Sequence, residues 1–197
     1  NKDRLETYLS NSSLIKKLEW EAGKEDFILD FAQRADPNGR APGILEIPLE
    51  PGEVGRAGGY EPRDYVAYLV ADGNGMGSIF SQCRTRGSLR ELSLHLGEVV
   101  RDSLAEAAKK VMQNPTAQKG NYFVPVLPLI LGGDDVFALL PAKWAVSFAK
   151  EFCLTFEQQM EAFRRRQPEL ANAPKPTMSA AIVICKHGRN IRAEEAD

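Results

Sequence analysis

The apolar positions change period several times along the chain. Tyr65-Val66-Ala67-Tyr68-Leu69-Val70-Ala71 is a continuous apolar run of strand length that stops at Asp72-Gly73. Beyond it, Ser88 and Glu91 read as a capping box, and Leu92, Leu96, Val99, Val100, Leu104, Ala107 and Val111 recur every three or four residues, which predicts one long helix to about Asn114. Val126 to Leu131 and Val136 to Leu140 are two further apolar runs joined by Gly132-Gly133-Asp134-Asp135, the spacing of a hairpin with glycine at its tight turn. Pro125 and Pro128 place the first of these strands at a sheet edge, where a missing donor is tolerated. Trp144, Phe148, Phe152, Phe156, Met160 and Phe163 return to helical spacing over Pro141 to about Arg166, and Met178 to Cys185 reads as a last strand. Strand, helix, strand, strand, helix, strand is the α+β, ferredoxin-like βαββαβ order, in which one antiparallel sheet is covered by two helices.

Upstream the pattern is different. Residues 1–35 read as an accessory helical extension: Ser12 or Ser13 caps a segment with Leu14, Ile15 and Leu18 on one face, and Phe27, Ile28 and Phe31 repeat that spacing after Gly23. Residues 36–62 are rich in proline and glycine, the composition of a loop or linker with at most one short strand around Ile44-Leu45 and Ile47. The main domain is therefore expected over 63–197.

A chain of 197 residues with 43% hydrophobic content can bury one substantial core. Its 25 Lys and Arg against 27 Asp and Glu leave a formal charge of −2, so no global basic field holds nucleic acid and any polynucleotide contact must be local. Three cysteines without a CxxC pair argue against a disulfide framework, a zinc ribbon or a thioredoxin-type motif, and point to a reducing, cytoplasmic setting. No apolar run approaches the roughly 18 residues of a membrane span, and no basic-then-apolar signal opens the chain. The chain starts at Asn1 without Met and stops at Asp197 soon after an apolar run, which reads as a piece of something larger.

The expected topology brings chemistry together. The third strand of this arrangement lies between the first and second and runs antiparallel to both, so the end of the first strand and the turn of the hairpin share one sheet edge. Asp72 is therefore expected beside Asp134 and Asp135. Carboxylates so placed repel one another unless protonated or bridged, and a hard divalent cation, Mg²⁺ or Mn²⁺, is the usual bridge. The plainer alternative is that Gly-Gly-Asp-Asp is only a turn. Asp72-Gly73-Asn74-Gly75-Met76-Gly77 adds a glycine-rich stretch whose backbone amides suit a triphosphate, with a flexible connection as its alternative.

Three segments carry a resemblance. Ala71 to Gly77, Leu131 to Pro141 with its double glycine and double aspartate, and Met178 to Ile184 resemble the palm domain of the large subunit of type III CRISPR-Cas effector complexes. That palm is related to the nucleotide cyclase and polymerase palms, diguanylate cyclases included. The resemblance covers about residues 64–197 and implies a two-metal nucleotidyltransferase with ATP as substrate and cyclic or linear oligoadenylates as signals. It implies Asp72, Asp134 and Asp135 as catalytic and metal-holding residues. Nucleotide contacts are implied for Gly73, Asn74, Gly75, Met76, Gly77, Gly132, Gly133, Ser179 and Lys186. Its implied partners are a second palm, from elsewhere in the parent protein or from another copy of the chain, together with other effector subunits and guide RNA, and no membrane.

The sequence departs from that pattern at two positions: Asn74 stands where relatives often have a second aspartate, and Ala181 where they often have glycine. No histidine-aspartate dipeptide occurs, His95 and His187 being the sole histidines, so nuclease chemistry is not expected. His95 on the long helix reads as a packing residue, Lys186 and His187 as solvated or phosphate-reaching loop residues, and Arg164-Arg165-Arg166 as cations at a helix C-terminus. Two rivals to oligoadenylate synthesis remain: a cyclase using GTP, and a degenerate palm that binds nucleotide or serves as a structural subunit of a ribonucleoprotein.

Overall fold

Alternating burial along Tyr65–Asn74 defines strand β2: Ala67, Leu69, Ala71 and Gly73 are buried on one face, while Val70, Asp72 and Asn74 are exposed on the other. The computed structural model describes residues 29–36, 45–46, 51–57, 65–111, 117–118, 121–124 and 126–186. In chain order these form α1 (residues 29–35), β1 (Leu45–Glu46), α2 (Pro51–Ala57), β2, α3 (Met76–Phe80), α4 (Arg86–Val111), β3 (Ala117–Gln118), β4 (Asn121–Phe123), β5 (Leu127–Gly132), β6 (Asp135–Pro141), a 3₁₀ turn (Ala142–Trp144), α5 (Ala145–Arg166), a second 3₁₀ turn (Pro168–Leu170) and β7 (Thr177–Lys186).

The main sheet has the order β5-β6-β2-β7 with every neighbouring pair antiparallel. With α4 after β2 and α5 after β6, this is the ferredoxin-like arrangement that the hydrophobic pattern predicts. β5 lies at the edge, so Pro128 removes no ladder bond from a sheet interior. A small separate sheet, β1-β4-β3, pairs β1 parallel to β4.

Helices α4 and α5 cover one face. Phe148, Phe152 and Phe156 of α5 and Leu92, Leu96 and Leu104 of α4 are fully buried against Leu69, Ala71, Val136 and Leu140. Among the described residues, the opposite face is covered at one end, where Val54 of α2 packs with Val66, Leu127 and Leu139. Tyr68 and Phe137 stack beyond that patch at 5.9 Å, and the face then opens at Val70 and Val183.

Several boundaries differ from the sequence reading. Helix α4 begins at Arg86 rather than Ser88, because Thr85 is the cap: its hydroxyl accepts the Ser88 N–H at 3.0 Å while the Ser88 hydroxyl accepts the Thr85 N–H at 3.3 Å. The box exists, displaced by three residues. Residues 51–57, expected as loop, form α2, whose small residues fit against the sheet at Val54. Most of the 1–35 extension lies outside the described residues. Of its described part, Phe31, Ala32 and Ala35 join the main core, and Arg34 bridges to Glu98 and Asp102 of α4 at 3.1 and 2.8 Å.

Because Phe156 is fully buried and Val146 is 70% exposed, Phe156→Ala should cost about 3–5 kcal/mol in urea unfolding and Val146→Ala less than about 0.5 kcal/mol. Similar costs at the two positions would mean that α5 does not present this face to the core.

Candidate functional site

β6 pairs with both β2 and β5, and this double pairing builds the site. Ala71 is opposite Val136, and Gly132 is opposite Asp135, so the end of β2 and the turn of the β5–β6 hairpin meet at one edge. The turn is tighter than the four-residue loop expected: Gly132 and Asp135 close the ladder, leaving Gly133-Asp134 between them. Gly133 has φ 68°, the left-handed region where a side chain is strained.

Asp134 lies against the end of β2. A Cβ on Gly73 would stand 2.8 Å from the Asp134 Cβ and 3.0 Å from its Oδ2, so glycine at 73 leaves room for that carboxylate. Burial pushes the Asp134 carboxyl above the ordinary aspartate value, its own backbone N–H pulls it partly back, and the charges of Asp72 and Asp135 raise it further. Asp134, half-buried, thus lies within electrostatic reach of the exposed Asp72 and Asp135. Among the described residues, no group of three or more His, Cys, Asp or Glu side chains is arranged to hold a metal ion. The donor set nevertheless suits a hard cation, being carboxylate oxygens, one of which lies where a Cβ on Gly73 would strike it. Mg²⁺ commonly takes one or two protein carboxylates and completes its shell from phosphate and water.

The glycine-rich stretch is more ordered than a loop. Gly73 and Asn74 belong to β2, Gly75 turns the chain at φ 69°, and Met76 and Gly77 open the short helix α3. Met76 is buried beneath Gly73, whereas Gly75, Gly77, Gly132 and Gly133 are exposed along the edge. Asn74 reaches across to β7: its Nδ2 donates to Thr177 Oγ1 at 3.0 Å and to Ser179 Oγ at 2.9 Å, and its Oδ1 accepts the Ser179 hydroxyl at 3.0 Å. Ser179 is the register partner of Asp72, which places it at the edge.

Lys186 is not brought to this edge. It pairs with Tyr65, seven residues before Asp72, and at about 3.3 Å per residue it lies roughly 23 Å away along the strands. The sequence reading treated Lys186 as a residue just past the strand, whereas β7 runs through it and fixes it at the far end. His187 lies outside the described residues. His95 stacks on Phe163 with centroids 4.1 Å apart, and burial lowers its pKa, in keeping with a packing residue. Arg164 and Arg165 hold the Glu161 carboxyl down to about 2, so these two cations are engaged locally. Thr177 was missed by the sequence reading. Its signal is the alternation along β7, which places Thr177, Ser179 and Ala181 on the same face as Asp72 and Asn74. A cleft lined by Cys83, Ser88, Glu91, Phe163 and Gln167 lies between α4 and α5, and Asp72, Asp134 and Asp135 do not line it.

Compared with known protein families, residues 65–196 match the family described as "Cas10/Cmr2, second palm domain". Among curated proteins, none matches the chain. No helix among the described residues is long and apolar enough to cross a membrane.

Two outcomes follow from the packing and charge of this edge. Gly73→Ala should cost about 1–3 kcal/mol through clashes with Asp134 and Met76, while Gly77→Ala, with open space around it, should be neutral or slightly stabilising. Equal effects would remove the cradle.

The second outcome is a pH dependence without divalent cation. A carboxyl whose folded pKa is raised destabilises the fold above that pKa, and the penalty disappears as pH falls through it and below the unfolded value. Asp134→Asn should therefore raise the melting temperature at pH 7, with the gain vanishing below the ordinary aspartate value of 3.8. A pH-independent gain, or a loss at pH 7, would contradict the cost assigned to burying Asp134 beside two like charges.

Proposed function

The chain belongs to the Cas10/Cmr2 second-palm family over residues 65–196, and from that premise we propose that its carboxylate edge is a divalent-cation-dependent nucleotidyl-transfer site acting on ATP. Membership establishes a nucleotidyltransferase-like palm of type III CRISPR systems. The observation that carries the finer reading is the juxtaposition of Asp134 with the end of β2 at Gly73, within electrostatic reach of Asp72 and Asp135.

In this reading Asp72 and Asp134 hold Mg²⁺ or Mn²⁺, with Asp135 supplying further negative charge from the solvent side. Bound there, such ions neutralise triphosphate charge and acidify a ribose hydroxyl. The exposed backbone at Gly75, Gly77, Gly132 and Gly133 lets phosphate oxygens approach closely, and Ser179 offers a hydroxyl beside Asp72. The hydroxyl oxygen of an acceptor nucleotide bonds to the α-phosphorus in line, the bond from that phosphorus to the β-phosphate bridging oxygen breaks, and pyrophosphate leaves. The acceptor's proton passes to water at the open edge. Repetition of this step yields linear oligoadenylate, and attack by the oligomer's terminal ribose hydroxyl on its own 5′ α-phosphorus, with loss of the last pyrophosphate, closes a ring.

One edge positions a donor triphosphate, and the acceptor has to be presented from outside it. The open sheet face beside Val70 and Val183 suits a second palm, from the parent protein or from another copy, within an effector assembly that includes guide RNA. A second reading, a palm that binds nucleotide without turnover, is favoured by the lack of a three-ligand cluster among the described residues.

Incubation of the purified chain with Mn²⁺ and each of the four ribonucleotides, with products separated by chromatography, tests these readings. The expected result is slow release of pyrophosphate and oligoadenylate from ATP, rising faster than linearly with protein concentration and reduced at least about 10²-fold in Asp134→Ala/Asp135→Ala. Nucleotide binding without product at any concentration, even with a second palm supplied, would favour the non-catalytic palm. Product from GTP alone would favour a cyclase of the diguanylate type.

A further inference from the structure

Asn74 closes β2 on the same face as Asp72, because strand residues two apart point the same way. Its side chain, however, is held by β7. The amide nitrogen donates to Thr177 Oγ1 at 3.0 Å and Ser179 Oγ at 2.9 Å, and the carbonyl accepts the Ser179 hydroxyl at 3.0 Å. The register pairs Asn74 with Thr177 and Asp72 with Ser179, so this clamp sits directly beside Asp72.

A carboxylate at position 74 would keep the clamp, since both hydroxyls can turn to donate to it. It would also add a negative charge to the edge where the β5–β6 turn brings Asp134 and Asp135 to the end of β2. The amide keeps the clamp and adds no charge. With no three-ligand cluster among the described residues, a hard cation at this edge must draw much of its oxygen shell from water or from a phosphate ligand.

Resting on the nucleotidyl-transfer reading of the edge, we propose that Asn74 is a positioning residue that makes cation binding conditional on nucleotide. It is a neutral β2–β7 clamp in place of a ligand, so Mg²⁺ or Mn²⁺ is retained as its triphosphate complex and not alone. The edge thereby stays free of bound cation until substrate arrives.

Protein-bound Mn²⁺ counted by equilibrium dialysis tests this, using the whole chain, with and without a non-hydrolysable ATP analogue. The wild type should bind Mn²⁺ at least about tenfold more tightly with the analogue than without, and Asn74→Asp should tighten binding of Mn²⁺ alone by about tenfold or more, as added ligand charge does. Asn74→Ala, which has neither clamp nor charge, should not tighten it. Should Asn74→Asp fail to fold, Ser179→Asp adds the charge opposite Asp72 instead and should give the same gain. Equal wild-type affinity with and without analogue, no gain from either added carboxylate, or an equal gain in Asn74→Ala overturns the proposal while leaving the site reading in place. No bound Mn²⁺ in any form with the analogue present overturns the site reading as well.

Discussion

The pairing of β6 with both β5 and β2 is the constraint on which the site depends. β6 is joined to β5 by a two-residue turn and is pressed against β2 by a continuous register from Val66–Pro141 to Ala71–Val136. Once that register is set, the turn is carried to the end of β2, and Asp134 lies against the bare backbone of Gly73. A slip of one residue would turn Val136, Ala138 and Leu140 from the helix-covered core to the open face. The packing of Phe148, Phe152 and Phe156 thus holds the register, and the register holds the aspartates.

The carboxylate edge holds like charges close together at an electrostatic cost. Asp134 is half-buried next to two like charges, and its raised proton affinity records an unfavourable arrangement that a stability-driven sequence would have no reason to keep. Around it the polar contacts are satisfied. Asn74, Thr177 and Ser179 bond one another across the β2–β7 ladder, so the frame of the edge is fixed even though its charges are not neutralised. Fixed oxygens beside exposed glycine backbone suit a ligand that brings both positive charge and phosphate, as a cation–nucleotide complex does.

Long periodic segments were legible in the sequence because burial dictates them. The spacing of Leu92 to Val111 and of Phe148 to Phe163 gave α4 and α5, and the βαββαβ order gave the strand arrangement and with it the meeting of Asp72 with the hairpin turn. What the pattern could not resolve were features set by single contacts. Thr85 captured the α4 cap because its hydroxyl, one turn before Ser88, reaches the free N–H groups first. Residues 51–57 fold as α2 despite their glycines because Val54 finds an apolar seat on the sheet, a tertiary gain that local composition does not encode. The fate of Asn74 depended on side chains more than a hundred residues away on β7, beyond any local reading. Lys186 was misplaced for a related reason: strand length, unlike strand existence, is set by the partner, and β2 pairs with β7 up to Lys186.

The central claim, that the end of β2 and the β5–β6 turn form one cation–nucleotide site, is tested most directly by an anomalous difference map from crystals grown with Mn²⁺ and a non-hydrolysable ATP analogue. The account predicts a Mn²⁺ peak between the carboxylates of Asp72 and Asp134, sharing its ligand shell with phosphate oxygens that lie along Gly75, Gly77 and Gly133. A nucleotide bound elsewhere, for instance in the cleft between α4 and α5, with no Mn²⁺ at the aspartates, would contradict it.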